Sequence, residues 1–236
     1  MGPRVVILGR GNVASALSEG LREAGIPLLQ MWHRGEELRT DGDLYIIAVK
    51  DDAVAEAARL CPASAPVVHT AGSVAMDVLP QQRRGVLYPM QSFTRGRRID
   101  WSRVPFFIEA SSEEDCALLE AFARRLSSSV FRLSGEQRKT LHLAAVWVSN
   151  FSNHLWTVAS DLLGREHLPF SVMLPLIEET AAKVHEFAPV DAQTGPARRN
   201  DIKVMQAHEA MLPEDLRLIY RLLSSSIQKY DKLRSH

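Results

Sequence analysis

Short apolar runs alternate with helix-like stretches along the first half of the chain, and the alternation stops near residue 134. RVVIL (4–8), PLLQMW (27–32), DLYIIAV (43–49), APVVHT (65–70), GVLYPM (85–90), PFFIEA (105–110) and SVFRL (129–133) have the length and branched or aromatic character of buried strands. Between them, NVASALSEGLREAG (12–25) closes on Gly25, a residue suited to a helix C-cap, and DDAVAEAARLC (51–61) opens on acids that favour a helix start. SSEED (111–115) is a capping signal for a helix over 112–126. Strand, helix and strand in alternation predict a mostly parallel sheet with helices on its faces.

Beyond Ser134 the period changes. Residues 135–164, GEQRKTLHLAAVWVSNFSNHLWTVASDLLG, read as one long helix with few polar positions in its middle, which predicts burial nearly all round, at a domain or subunit contact. Two further helical stretches, 170–189 and 212–235, flank a proline-containing basic link, VDAQTGPARRND (190–201). The expected architecture is therefore an α/β chain with a dinucleotide-binding (Rossmann) domain over 1–134 and an all-helical domain over 135–236.

Composition narrows the classes of function. With 28 basic and 28 acidic residues in 236, the chain is formally neutral and gives no reason to expect a nucleic acid or an anionic membrane surface as partner. Cys61 and Cys116 are isolated, with neither a CxxC pair nor metal-ligand spacing, so no metal is expected. The chain enters a strand at once, without signal-peptide architecture, and no apolar run reaches membrane-spanning length, so a cytoplasmic location is expected.

The first strand leads into GRGNVA, placing Gly9, Gly11 and Ala14 in GxGxxA spacing directly before a helix, with Arg10, Asn12 and Val13 between and beside them. Gly9 permits the tight turn, Gly11 lets a pyrophosphate approach the backbone, and Ala14 lets helix pack on strand, while the free amides at the helix start attract the anion. An NAD site usually carries an acid at the end of the second strand, about 20 residues beyond the glycines. Here Trp32, His33 and Arg34 stand in that place, and a guanidinium there suits a 2′-phosphate, which points to NADP; Glu36 and Glu37 come slightly late for the ribose role. Later strand ends should face the same crevice. Ala48, Val49 and Gly72 leave room for a nicotinamide ring, and the Thr70 and Ser73 hydroxyls are candidate donors to its amide or to phosphate.

Polar groups on the long apolar helix need partners, and they supply the candidates for chemistry. At α-helical spacing His142, Ser149 and Asn153 share one face, with Asn150 nearer its side. Reduction of a carbonyl creates an oxyanion that must be stabilised and protonated; His142 or Lys139 is the candidate acid, Asn150 or Asn153 the candidate positioning donor, and a satisfied core histidine with packing amides is the competing account. YPMQSF (88–93) sets Tyr88 and Gln91 in a loop at the same edge, and TGPARRND (194–201) joins turn formers to Arg198, Arg199 and Asp201, an arginine pair suited to a substrate carboxylate.

Taken in order, GRGNVA, VVHTAGS, YPMQSF, LHLAAVWVSNF and TGPARRND resemble the Rossmann-like family whose carboxyl-terminal part is domain of unknown function 2520, similar in build to ketopantoate, pyrroline-5-carboxylate and hydroxyisobutyrate reductases. That resemblance spans nearly the whole chain. It implies a helical domain like the carboxyl-terminal domain of 6-phosphogluconate dehydrogenase, NADPH-dependent reduction of a small 2-keto acid, ketopantoate first, and a homodimer paired through the helices. Reduction of a pyrroline-type imine, or NADP binding without turnover, are the alternatives. By the same resemblance His142 and Asn150 match the family's helix histidine and asparagine, His208 matches a later histidine, and Thr194, Gly195, Pro196, Arg199 and Asp201 match its late motif. Asn200 stands where that motif usually has glycine.

Overall fold

The computed structural model describes residues 2–234, with side chains described to Asp231. Seven strands form one sheet in the order β2-β1-β3-β4-β5-β6-β7: β1 (Val5–Leu8), β2 (Leu28–Trp32), β3 (Leu44–Ile47), β4 (Val67–His69), β5 (Arg84–Pro89), β6 (Phe106–Ala110) and β7 (Val130–Arg132). All seven lie within the apolar runs of the sequence or within one residue of them. Pairing is parallel from β2 through β5; β6 runs antiparallel to β5, and β7 parallel to β6.

Both faces of the sheet are covered, which is why the central strands are continuously apolar rather than alternating. Val5 and Ile7 of β1, with Leu44 and Ile46 of β3, pack with Leu17 and Leu21 of α1 (Asn12–Glu23) and Leu119 and Phe122 of α3 (Glu113–Ala123). Val6, Leu8, Tyr45 and Ile47 take the opposite side and meet Val54, Ala57 and Ala58 of the short helix α2 (Val54–Ala58), which follows a 3-10 turn over Asp51–Ala53. Each fully buried leucine or isoleucine contributes about 1.5–3 kcal/mol of transfer free energy. Helix ends follow the sequence signals: Gly25 takes φ +63°, its N–H donates to Arg22 at 3.1 Å and that of Ile26 to Leu21 at 2.8 Å, while Ser112 caps α3 by accepting from the Asp115 N–H at 3.1 Å.

The expected long helix is three pieces: α4 (Gly135–Ala145), a π-helical turn over Val146–Phe151, and α5 (Ser152–Arg165). Its start is set by a capping box, in which Ser134 accepts from the Gln137 N–H and Gln137 accepts from the Ser134 N–H. Expected burial all round is not what the chain shows: Arg138 is buried, whereas Leu143, Trp147, Val148 and Phe151 are exposed. An apolar helix surface records that something covers it, without saying whether the cover belongs to the same chain.

Contacts divide the chain into two compact units, Met1–Leu155 and Trp156–His236. The period change at residue 134 marks the end of the strands; the division falls later because α4 is anchored to the sheet unit by Arg138 and His142. The second unit contains the rest of α5, a 3-10 turn over Phe170–Met173, α6 (Leu174–Lys183), α7 (Ile202–Met211) and α8 (Glu214–Arg234). The reading to Ser235 lies outside the described residues. Helix α7 went unrecognised in the sequence; its signal was Asp201, which caps it by accepting from the Val204 N–H at 3.3 Å.

Candidate functional site

Chain order reverses between β1 and β3, with β2 outside β1, so a crevice opens at the carboxyl ends of these strands. Gly9 sits at that point with φ +131°, and a Cβ there would overlap the Ala48 carbonyl. Its N–H donates to Trp32 at 2.8 Å, so the turn is fixed to the end of β2 as well. Gly11 is the N-cap of α1, a Cβ built on it meets nothing within 4 Å, and no side chain caps the first amides of the helix. Ala14, in the first turn of α1, is fully buried, as its packing role requires.

Beside this turn lies a hollow of about 350 Å³ lined by Gly9, Trp32, His33, Arg34, Val49 and Lys50, with Ala53, Glu56, Ala57 and Leu60 of the following helical turn. Thus the sequence candidates at three strand ends do converge. Lys50 and Glu56 were not singled out by the sequence, although both flank the strand end that was. Arg34 pairs with Glu56 at 2.6 Å and Arg10 with Glu36 at 2.8 Å. Uncapped amides, a turn with glycine at Gly9 and Gly11, and a cation-bearing apolar hollow fit a dinucleotide. Asn12 ties the start of α1 to the loop after β5 through Nδ2 and the Phe93 carbonyl, 3.0 Å. Two hydroxyls proposed for the cofactor are otherwise engaged: Thr70 donates to the Ile47 carbonyl at 3.4 Å, and Ser73 to the Asp51 carboxylate.

A second group assembles around Gly72. The Tyr88 hydroxyl is 3.1 Å from His142 Nδ1, the rings meet edge to face at 5.9 Å, and a Cβ on Gly72 would lie 2.5 Å from Nδ1 and 3.0 Å from the tyrosine ring. Only glycine leaves space for that pair. Burial raises the Tyr88 phenol above its usual pKa, with Arg138 pulling the other way. Arg138, one turn before His142, is 1% exposed; Nη1 donates to the carbonyls of Ala71, Gly72 and Val74 at 3.1, 2.9 and 2.6 Å, and Nη2 to Glu109 at 3.1 Å. This guanidinium fixes the loop after β4 against α4. Sequence reasoning missed it, although its i, i+4 spacing to His142 was visible. His69, fully buried beneath the loop, accepts from the Ala71 N–H through Nδ1 at 3.2 Å, and burial followed by Arg138 lowers its pKa to about 4.

The π-helical turn corrects the expected helix face. A π turn closes on i→i+5 and takes in one more residue than an α turn, so positions beyond it fall back by one. Asn150 thereby moves toward the His142 face that α spacing assigned to Ser149 and Asn153. Asn150 and Asn153 are both exposed. Lys139 is exposed and paired with Glu136 at 3.4 Å; it does not join the Tyr88–His142 pair. Gln91 is exposed, its Oε1 accepting from the Ser92 N–H.

In the helical unit Thr194 and Arg199 are exposed and Asp201 is the cap of α7. The expected arginine pair is split: Arg198 turns back to the Asp191 and Gln193 carbonyls and to Asp231, leaving Arg199 as the outward one. Asn200 takes φ +54°, a left-handed conformation that asparagine tolerates, so the loop keeps a glycine-type backbone without glycine. Its Oδ1 accepts from Gln228 at 2.9 Å. His208 Nδ1 lies 2.9 Å from the Tyr220 hydroxyl. Among the described residues no cluster of three metal-ligating side chains occurs, and no helix is long and apolar enough to cross a membrane.

Comparison with solved structures agrees with this architecture. A protein of Bacteroides fragilis, described as a putative NADP oxidoreductase, is 42% identical, with a TM-score of 0.91 over 97% of this chain and 98% of its own. Two likenesses below 25% identity show the fold alone: a Thermotoga maritima protein (19%, TM-score 0.76, 98% of this chain and 100% of its own) and the Aspergillus terreus reductive aminase in complex with NADPH and ethyl levulinate (14%, TM-score 0.71, 98% and 95%). No curated protein sequence matches the chain. The family model for the domain of unknown function DUF2520 matches residues 104–227, more than half of the chain, and the chain belongs to that family.

Proposed function

We propose that this chain is an NADPH-dependent reductase of a small 2-keto acid, with ketopantoate the first substrate to try. The observation that carries the reading is the Tyr88–His142 pair at Gly72, on the same sheet whose β1/β3 crevice holds the glycine turn and the cation-lined hollow. Kinship with the Bacteroides fragilis oxidoreductase supports the cofactor class.

The bound nicotinamide supplies hydride. Gly9 and Gly11 admit the pyrophosphate to the amides of α1, and Arg34, with Lys50 and His33, lines the adenosine side. Hydride addition to a carbonyl leaves an alkoxide, which takes a proton from His142. As imidazolium, His142 donates Nδ1–H to the Tyr88 oxygen and keeps Nε2–H for the alkoxide; after transfer it is a neutral ring with Nδ1–H still on Tyr88. Asn150, brought round by the π turn, orients the carbonyl oxygen. The active form is a homodimer through the helices, a reading supported by the exposed apolar side chains of the helical half.

The test is NADPH oxidation followed over ketopantoate, other 2-keto acids and cyclic imines, beside NADH. Expected are turnover of ketopantoate with NADPH and a fall of about 10²-fold or more in kcat for His142→Ala. Turnover of cyclic imines alone makes the chain an imine reductase. Tight NADPH binding with no turnover makes it a non-catalytic binder.

A further inference from the structure

The hollow at the ends of β1 and β3 holds its principal cation already paired. Arg34 follows β2 and Glu56 lies in α2; both line the hollow, and Nη2 of one is 2.6 Å from Oε1 of the other. The other acid near the site is held differently. Glu36 accepts from Arg10 at 2.8 Å and from the His33 N–H at 3.2 Å, and its Oε1 is 3.5 Å from His33 Nε2. Two of these contacts hold Glu36 within the loop after β2, and the third ties it to the glycine turn after β1. Glu56 is held by Arg34 alone among the ion pairs and hydrogen bonds of the described residues, and its side chain is 65% exposed.

A 2′-phosphate entering this hollow brings a dianion to Arg34, the guanidinium that Glu56 occupies. Glu56 already holds Nη2 of that guanidinium, and with one contact and a 65% exposed side chain it is the partner free to swing away when the phosphate takes the fork. We propose that Glu56 is a specificity-determining residue of the cofactor site: it competes with the 2′-phosphate for Arg34, so binding of a 2′-phosphorylated adenosine is an exchange of anions at that guanidinium. An adenosine without the 2′-phosphate has no group to offer in exchange and leaves the Arg34–Glu56 pair closed. This rests on the NADP reading above. It adds that the chain carries its own competitor for the phosphate, on the helix after β3 rather than at the end of β2 where a discriminating acid usually stands.

The test uses the full chain and calorimetric titration at low ionic strength, with adenosine 2′,5′-bisphosphate and 5′-AMP as probes, so that no turnover is read. Glu56→Gln is expected to bind the bisphosphate about 3- to 5-fold more tightly, the size of an exposed ion pair, with 5′-AMP unchanged. That gain shrinks as salt is raised and vanishes in the Arg34→Ala background, where there is no guanidinium to compete for. Equal or weaker bisphosphate binding by Glu56→Gln overturns the proposal, because Glu56 then positions Arg34 rather than competing for it. A gain that survives Arg34→Ala, or is equal for 5′-AMP, also overturns it. A different result, wild-type protein binding the bisphosphate no better than 5′-AMP, removes the NADP reading itself and the proposal with it.

Discussion

The two compact units of this chain solve the burial problem differently. In Met1–Leu155 the sheet is covered on both faces and its central strands are sealed; in Trp156–His236 only Ala197 and Met205 are buried hydrophobic residues among those described, while Leu176, Val184, Phe187, Met211 and Leu222 stand exposed. A sheet with helices on both faces closes a core with its own chain, whereas a few amphipathic helices without a second layer leave apolar surface for another body. A histidine–tyrosine pair occurs in each unit, at 3.1 Å for His142 and Tyr88 and 2.9 Å for His208 and Tyr220. The first is wedged at Gly72 with both rings partly buried; in the second His208 on α7 is exposed and Tyr220 on α8 is partly buried. Similar bond lengths therefore do not make equal chemistry: in the first pair burial raises the Tyr88 phenol above its usual pKa.

The contrast between sealed sheet and open helices is broken most strongly at the helices. Leu222→Asp, on exposed α8, is expected to weaken the proposed self-association at least 10³-fold, since a carboxylate would have to be buried without a partner. Sedimentation equilibrium checks it; a wild-type chain that is monomeric at micromolar concentration removes the dimer. In the sealed unit the expected sensitivity is to buried polar groups. Arg138→Met strips three loop carbonyls and Glu109 of their donor and should cost about 3–4 kcal/mol in urea denaturation. A loss below about 1 kcal/mol would mean that the 71–74 loop does not depend on the guanidinium.

The smallest effect sharpens the comparison by pH. His69 is held neutral in the fold, with its pKa lowered to about 4 from 6.5, so the unfolded chain takes up its proton first as pH falls. The contribution of the neutral ring is complete above pH 6.5 and is lost as pH drops toward 4, up to about 3 kcal/mol. His69→Asn, which keeps an acceptor for the Ala71 N–H, is expected to flatten stability over that window relative to wild type. Parallel pH profiles of the two proteins would refute the assignment.

Much of the fold was legible because strands, glycine turns and helix caps are local signals. The sheet strands, the GRGNVA turn and the cation at the end of β2 needed only runs of residues read in order. Helix α7 escaped because a basic, proline-containing link masked the Asp201 cap. The face of the long helix was misjudged because α spacing was extended through residues that wind as a π turn. Asn200 shows the opposite case: a departure from the family's glycine was absorbed by one of the few residues at ease with positive φ.

By itself the sequence determined the sheet, the nucleotide turn beneath α1 and the side chains available for chemistry, because periodicity and turn propensity act over a few residues. Tertiary structure alone decided which of those side chains meet. Tyr88 and His142 are 54 positions apart, Arg138 and the Gly72 carbonyl 66, and Arg34 and Glu56 22. Such contacts depend on strand order and on the space a glycine leaves, neither of which is written in any short stretch of the chain.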